Sequence, residues 1–239
     1  MGLFKKQKKE AAPSCSAVVV AAGSSTRMGF DKVLADVGGL PAIVWCLRRF
    51  EEAPSVNEVV VVTRTDLVPE VARLCQDHGL TKVVKVVRGG EDRTQSARLG
   101  TLECSPKAKL IAIHDGARPF VTVRVIEDAV AQAARSGAAA PAVPVKDTIK
   151  EVRDGLVERT LDRSALYAVQ TPQVFDGDLI RAALQKAVDD GVSLTDDCAA
   201  VERLGMRVAL TPGDERNIKL TTPADLLIGE ILSEEVPAL

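Results

Sequence analysis

The chain has 239 residues, 46% of them hydrophobic and 27% charged, with a formal net charge of −2. That apolar content suffices for the core of one large α/β domain and excludes a disordered chain. The near-neutral charge gives no general attraction to nucleic acid, and no run approaches the roughly 18 apolar residues of a membrane span. Five cysteines without a C-x-x-C pair indicate neither a disulfide framework nor a zinc site, two histidines exclude a histidine-rich metal site, and a reducing cytoplasm fits best.

Residues 1–14 read as a disordered basic leader, because Lys5-Lys6-Gln7-Lys8-Lys9 lacks the apolar stretch of a signal peptide. A single domain is expected over 15–239. Its first strand, Ala17–Ala21, empties into Ala22-Gly23-Ser24-Ser25-Thr26-Arg27-Met28-Gly29, with Asp31-Lys32 close behind. Small residues let a backbone approach a phosphate chain, and Arg27 and Lys32 bring positive charge to it. The spacing matches neither the dinucleotide fingerprint nor the P-loop, so it reads either as a nucleotide loop of a third kind or as ordinary strand-to-loop punctuation.

A helix over Pro41–Glu52, a strand over Glu58–Thr63, a helix over Leu67–His78 and a strand over Lys82–Val87 follow. Gly89-Gly90-Glu91-Asp92-Arg93-Thr94-Gln95-Ser96 then opens a helix predicted over Arg93–Glu103. That turn offers backbone groups and the Ser96 hydroxyl to a base edge, or it is a bare helix entry capped by Asp92. The strand Lys109–His114 should deliver Asp115 to a crevice. There it suits Mg²⁺ held mainly by phosphates, or ligand hydroxyls, or it caps the next turn. Arg118 behind it is a candidate phosphate ligand.

Thr122 and Gly137 bracket a helix over Val123–Ser136, and a strand over Ala138–Val145 comes next. Alternation breaks at about 146–175, where Arg153-Asp154-Gly155 separates two alternating runs and predicts a β-hairpin arm. Helices over Gly177–Asp189 and Asp196–Gly205 and a strand over Met206–Leu210 complete the chain, and Lys219 beyond them is either a third site cation or a solvated residue. Near-continuous apolar strands separated by amphipathic helices predict a doubly wound, mostly parallel, Rossmann-like sheet with that arm inserted. Right-handed crossovers place the loops after Ala21 and His114 on one rim. No Ser-His-Asp order or divided carboxylate pair stands out, so the expected chemistry is electrostatic.

These motifs, with Lys146-Asp147-Thr148, Arg163, Gln170-Thr171-Pro172-Gln173, Thr195-Asp196-Asp197 and Asn217-Ile218-Lys219, closely resemble the 2-C-methyl-D-erythritol 4-phosphate cytidylyltransferase family over about Ser16 to Leu232. The resemblance implies a nucleotidyltransferase-type fold and transfer of a cytidylyl group from CTP to the sugar phosphate, with Mg²⁺ on the triphosphate and pyrophosphate released. By position it implies that Arg27 and Lys32 stabilise the transition state, and that Arg163 and Lys219 place the attacking phosphate. Ala21, Ala22, Gly23, Gly90, Glu91, Ser96, Asp115 and Gly116 would bind the nucleotide. Asp115, Arg118, Thr148, Arg163 and Thr171 would meet the sugar phosphate, and Asp115 would be the one protein contact to Mg²⁺. It further implies a homodimer in which the arm crosses to the partner subunit. Rival readings are a ribitol-5-phosphate cytidylyltransferase, a nicotinamide oxidoreductase, and a silent nucleotide-binding module. Thr63-Arg64, where an acidic residue should close the second strand, argues against the oxidoreductase.

Overall fold

The computed structural model describes residues 14–23 and 31–235. Strand β1 (Cys15–Ala21) leads past a two-residue ribbon, β2 (Asp36–Val37) and β3 (Leu40–Pro41), into α1 (Ala42–Glu52) and β4 (Val56–Thr63). A short 3-10 turn at Thr65–Leu67, α2 (Val68–Asp77), β5 (Val83–Arg88), α3 (Arg93–Glu103), β6 (Leu110–Asp115) and α4 (Val123–Ser136) follow in strict alternation. Then come β7 (Ala138–Pro144), the hairpin strands β8 (Lys150–Arg153) and β9 (Leu156–Thr160), a 3-10 turn at Arg163–Ala165, β10 (Tyr167–Val169) and β11 (Gln173–Asp176). The chain closes with α5 (Gly177–Asp189), α6 (Cys198–Glu202), β12 (Ala209–Pro212) and α7 (Pro223–Glu235).

The main sheet has eight strands. Strands β6, β1, β4 and β5 pair in parallel, with β1 between β6 and β4. Beyond β6 the antiparallel β11 bridges to β7, and β12 pairs in parallel with the far edge of β7. Because β1 is central and its successors run first to one side and then to the other, the loops leaving β1 and β6 diverge there and open a crevice.

Burial on both faces explains the apolar strands. Ala17, Val19 and Ala21 of β1 join Val59 and Val61 of β4 under Ile43, Phe50, Val71 and Ile126. The alternate residues Val18, Val60 and Val62 pack with Ala97, Ile180 and Leu184 on the other face. Alternation of Cβ direction sends each neighbour to the opposite layer, so neither side of the strand tolerates a polar stripe. Thr122 caps α4 by accepting from the Val125 amide at 3.3 Å, and Gly137 ends it at φ +79°, as the sequence predicts.

Three expectations change. The arm is shorter than 146–175: only the β8–β9 hairpin stands apart, while β10 and β11 re-enter the main sheet against β7 and β6. The last strand lies at Ala209–Pro212, because the Met206 amide still donates to the Val201 carbonyl in the turn that closes α6. The helix expected over Asp196–Gly205 shrinks to Cys198–Glu202 for the same reason. Helix α7 was not predicted, since its buried face carries Gly229 and Ser233 while Leu227, Ile228 and Ile231 point outward. The basic leader, through residue 13, lies outside the described residues.

Candidate active site

The crevice at the strand switch holds a cavity of about 350 Å³. Its walls come from three strand ends: Ala21, Ala22 and Gly23 after β1, Gly90, Glu91, Asp92 and Arg93 after β5, and Asp115 and Ala117 after β6. Val20, Lys32, Val33, Ser96 and Lys219 complete them. Predictions separated by nearly two hundred positions therefore meet in one place. Arg27 falls outside the described residues.

Close packing draws these loops together. The Gly89 amide donates to the Thr63 carbonyl at 2.8 Å, and a Cβ at Gly89 would lie 2.5 Å from Ala22 Cβ, so only glycine lets the β5 loop touch the β1 loop. The Ser96 hydroxyl donates to the Asp92 carbonyl at 2.8 Å and accepts from the Gly90 amide at 3.1 Å. The bare-entry alternative is also present, since Asp92 accepts from the Gln95 amide at 2.8 Å. Ser96 thus shapes the turn as well as lining the cavity.

Lys32 reaches back to the end of β1: a Cβ at Gly23 would sit 3.9 Å from its Nζ. Its neighbours are braced on either side. Asp31 is ion-paired with Arg64 at the end of β4, and the Val33 carbonyl accepts from the Ile43 amide at 2.9 Å. Across the cavity, Lys219 Nζ lies 2.8 Å from Asp115 Oδ2. Its segment is tied down by the Leu220 amide on the Ala117 carbonyl at 2.8 Å and by Arg118 Nη1 on the Asn217 carbonyl at 2.7 Å.

Asp115 is the electrostatic hub. Burial alone would raise its carboxyl, but Arg93, Lys219 and Arg118 hold it well below the usual carboxylate range. Arg93 Nε donates to Asp115 Oδ1 at 3.2 Å, so each carboxylate oxygen faces a cation. The neighbouring His114 is fully buried, its pKa pushed down to about 4 chiefly by that burial. Its Nδ1 lies 2.9 Å from Thr171 Oγ1 and its ring packs edge-on against Phe50.

Several sequence-predicted residues fall elsewhere. Thr171 is buried, and its hydroxyl accepts from the Asp115 amide at 3.1 Å, so within this chain it supports Asp115 from beneath. Gly116 is also covered, its amide donating to the Val20 carbonyl at 2.8 Å. Arg118 does not line the cavity, because its guanidinium is spent on the Lys219 segment. Thr148 and Arg163 are exposed at the two ends of the arm, and Arg163 Nη1 donates to the Lys146 carbonyl at 2.6 Å. Conversely, the sequence offers Arg93 and Asp197 only as motif members. Their one sequence signal was an arginine directly after a helix N-cap and an acidic pair at a second helix start.

A family model described as 2-C-methyl-D-erythritol 4-phosphate cytidylyltransferase matches residues 15–235. The chain belongs to that family. The cytidylyltransferase of this name from Caldanaerobacter subterraneus is 43% identical over 224 residues, covering 90% of this chain and 97% of the relative. That from Geobacillus thermodenitrificans is 44% identical over 218 residues, covering 90% and 95%. Among solved structures, the cytidylyltransferase of Thermus thermophilus superposes with a TM-score of 0.77 at 32% identity, covering 92% of this chain and 99% of the other. The 4-diphosphocytidyl-2C-methyl-D-erythritol synthase of Anaerococcus prevotii superposes with a TM-score of 0.83 at 27% identity, covering 94% and 100%. Membership makes the chain a nucleotidyltransferase of the isoprenoid precursor route.

Among the described residues no helix is long and apolar enough to cross a membrane, and no group of three or more His, Cys, Asp or Glu is arranged around a metal. A single carboxylate such as Asp115 does not make a dedicated metal cage. It does fit Mg²⁺ that arrives on phosphate oxygens and keeps much of its water.

Proposed function

We propose that the cavity binds CTP and transfers its cytidylyl group to 2-C-methyl-D-erythritol 4-phosphate, giving 4-diphosphocytidyl-2-C-methyl-D-erythritol and pyrophosphate. One observation carries the reading: Lys32 and Lys219 flank the same cavity at the strand switch of a cytidylyltransferase-family fold. A phosphate oxygen of the sugar attacks the α-phosphorus in line, the bond to the bridging oxygen breaks, and pyrophosphate leaves with that electron pair. Such a reaction needs positioning and charge neutralisation more than a nucleophile from the protein.

In this reading the backbone of Ala21, Ala22, Gly23, Gly90 and Glu91 reads cytosine, with Ser96 and Gly116 holding those loops in shape. Lys32, together with Arg27, meets the charge that builds on the α-phosphate, and Lys219 places the attacking phosphate. Asp115 binds ribose or substrate hydroxyls and is the protein group that would hold Mg²⁺. When bound, Mg²⁺ supplies further neutralisation of the triphosphate. Arg118 and Thr171 act through Lys219 and Asp115 respectively.

Thr148 and Arg163 reach a cavity only in a homodimer whose arms cross, with Arg163 serving the partner's sugar phosphate. Support comes from the hairpin itself, which pairs only with its own strand and exposes Val152, Leu156 and Val157 by 56%, 75% and 60%. Five buried, unpaired thiols support a reducing, cytoplasmic setting. The test is pyrophosphate release with CTP and either methylerythritol phosphate or ribitol 5-phosphate. Turnover with the first is expected, and turnover of ribitol phosphate alone overturns the assignment.

A further inference from the structure

Arg93 lines the cavity, yet its guanidinium is occupied on two sides. Nη1 and Nη2 donate to Oδ1 and Oδ2 of Asp197 at 3.0 and 2.7 Å, while Nε donates to Asp115 Oδ1 at 3.2 Å. Asp197 is 1% exposed. A carboxylate that deep carries a desolvation cost, and an apolar pair of similar volume would join α3 to α6 at least as well. What only the charged pair provides is an arginine whose fork is locked and whose Nε–H therefore points in one direction.

Both ends of the pair are anchored. The amides of Asp197 and Cys198 donate to Gln173 Oε1, each at 2.9 Å, and Gln173 Nε2 donates to Asp196 Oδ2 at 2.9 Å. The Leu194 amide donates to Thr94 Oγ1 at 2.9 Å, which ties the loop before α6 to the first turn of α3. Strand β11 therefore holds the Asp197 end, and Thr171 just before it holds the Asp115 amide.

We propose that Asp197 and Arg93 are positioning residues for the transfer: Asp197 locks the guanidinium, and Arg93 pins Asp115 Oδ1. Oδ2 is then the oxygen that Lys219 holds and that an incoming ligand hydroxyl or phosphate-borne cation meets. Without the lock, Asp115 and Lys219 lose their fixed relation and the attacking phosphate is misplaced. This rests on the cytidylyl-transfer reading above. The loss should therefore fall on kcat more than on the KM for CTP, whose base is read by backbone groups and whose phosphates meet Lys32.

Asp197→Asn, Arg93→Lys and Asp115→Asn test it, with pyrophosphate release for kcat and KM, and proton exchange of the Arg93 Nε–H followed by ¹H–¹⁵N NMR. That signal is assigned by its absence in Arg93→Lys. Asp197→Asn should lower kcat about 10- to 100-fold with KM for CTP within about threefold. Adding it to Asp115→Asn should cost nothing more. The Nε–H should exchange at least about tenfold faster in Asp197→Asn. Unchanged exchange, or kcat losses that multiply in the double variant, overturns the proposal. If Asp197→Asn does not fold, Arg93→Lys with and without Asp115→Asn makes the same kinetic comparison. If the wild-type protein turns over neither polyol phosphate, the transfer reading fails by itself, and the exchange rates alone decide whether Asp197 locks Arg93.

Discussion

The cavity wall around Asp115 and the β8–β9 arm both carry charged residues, but they are built in opposite ways. Around Asp115 the ion pairs are sheltered: the Arg93 and Lys219 partners face a carboxylate with 11% side-chain exposure. On the arm, Arg153–Glu158 and Arg159–Glu151 are open to water, with each arginine more than two-thirds exposed. Sheltered charges are oriented before a ligand arrives and interact through a low dielectric, whereas exposed ones are screened and mobile. One wall is organised by contacts within the chain; the arm leaves its apolar and cationic groups open to solvent.

Substitutions can break or sharpen this contrast. The largest expected effect is Lys32→Ala, which on the proposed transition-state role should lower kcat by about 10³-fold while CTP affinity changes only a few-fold. Calorimetric CTP binding beside steady-state rates would decide it, and equal losses in both would refute that role. Next, on the homodimer proposal, Leu156→Asp on the arm should leave the fold intact, since the residue is 75% exposed, yet yield a monomer and cut turnover about 10²-fold. Analytical ultracentrifugation with activity on the same sample checks this; a fully active monomer would show that the arm supplies nothing in trans.

Stability should report the sheltered side through pH. The folded His114 pKa, pushed down to about 4, lies below the unfolded value near 6.5, so the unfolded chain binds the extra proton first. Stability is therefore full above the unfolded value and falls as the solution is acidified, by about 2 kcal/mol between pH 7 and pH 5. Urea unfolding of the wild type and of His114→Gln measures it, and the variant should lose this part of the slope. The smallest effect belongs to the exposed arm pair: Arg159→Ala should change stability by less than about 1 kcal/mol, an amount erased by salt.

Much of this contrast was legible beforehand, for identifiable reasons. The Asp154-Gly155 turn has positive φ at both residues, 50° and 79°, so the dipeptide alone specified a tight hairpin. Helix α3 begins at Arg93 as predicted, because Asp92 is a local cap. Strand β11 was absorbed into the arm because Gln173–Asp176 is too short to show a period, and its place depends on pairing with β6 and β7. For Thr171 and Arg118 a motif displays side chains without saying which way they turn. Packing turned one under Asp115 and the other toward the Asn217 carbonyl.

By itself the sequence determined what is local or periodic: apolar strands, capped helices, the Asp-Gly turn, small residues in the first loop, and the motif order that marks the family. Only the tertiary structure decided which distant charges meet. The Arg93–Asp197 pair spans 104 positions, and its bond depends on where β11 lays the start of α6. Short-range rules act through the backbone dihedrals of neighbouring residues, but a buried ion pair is chosen by the packing that excludes water around it.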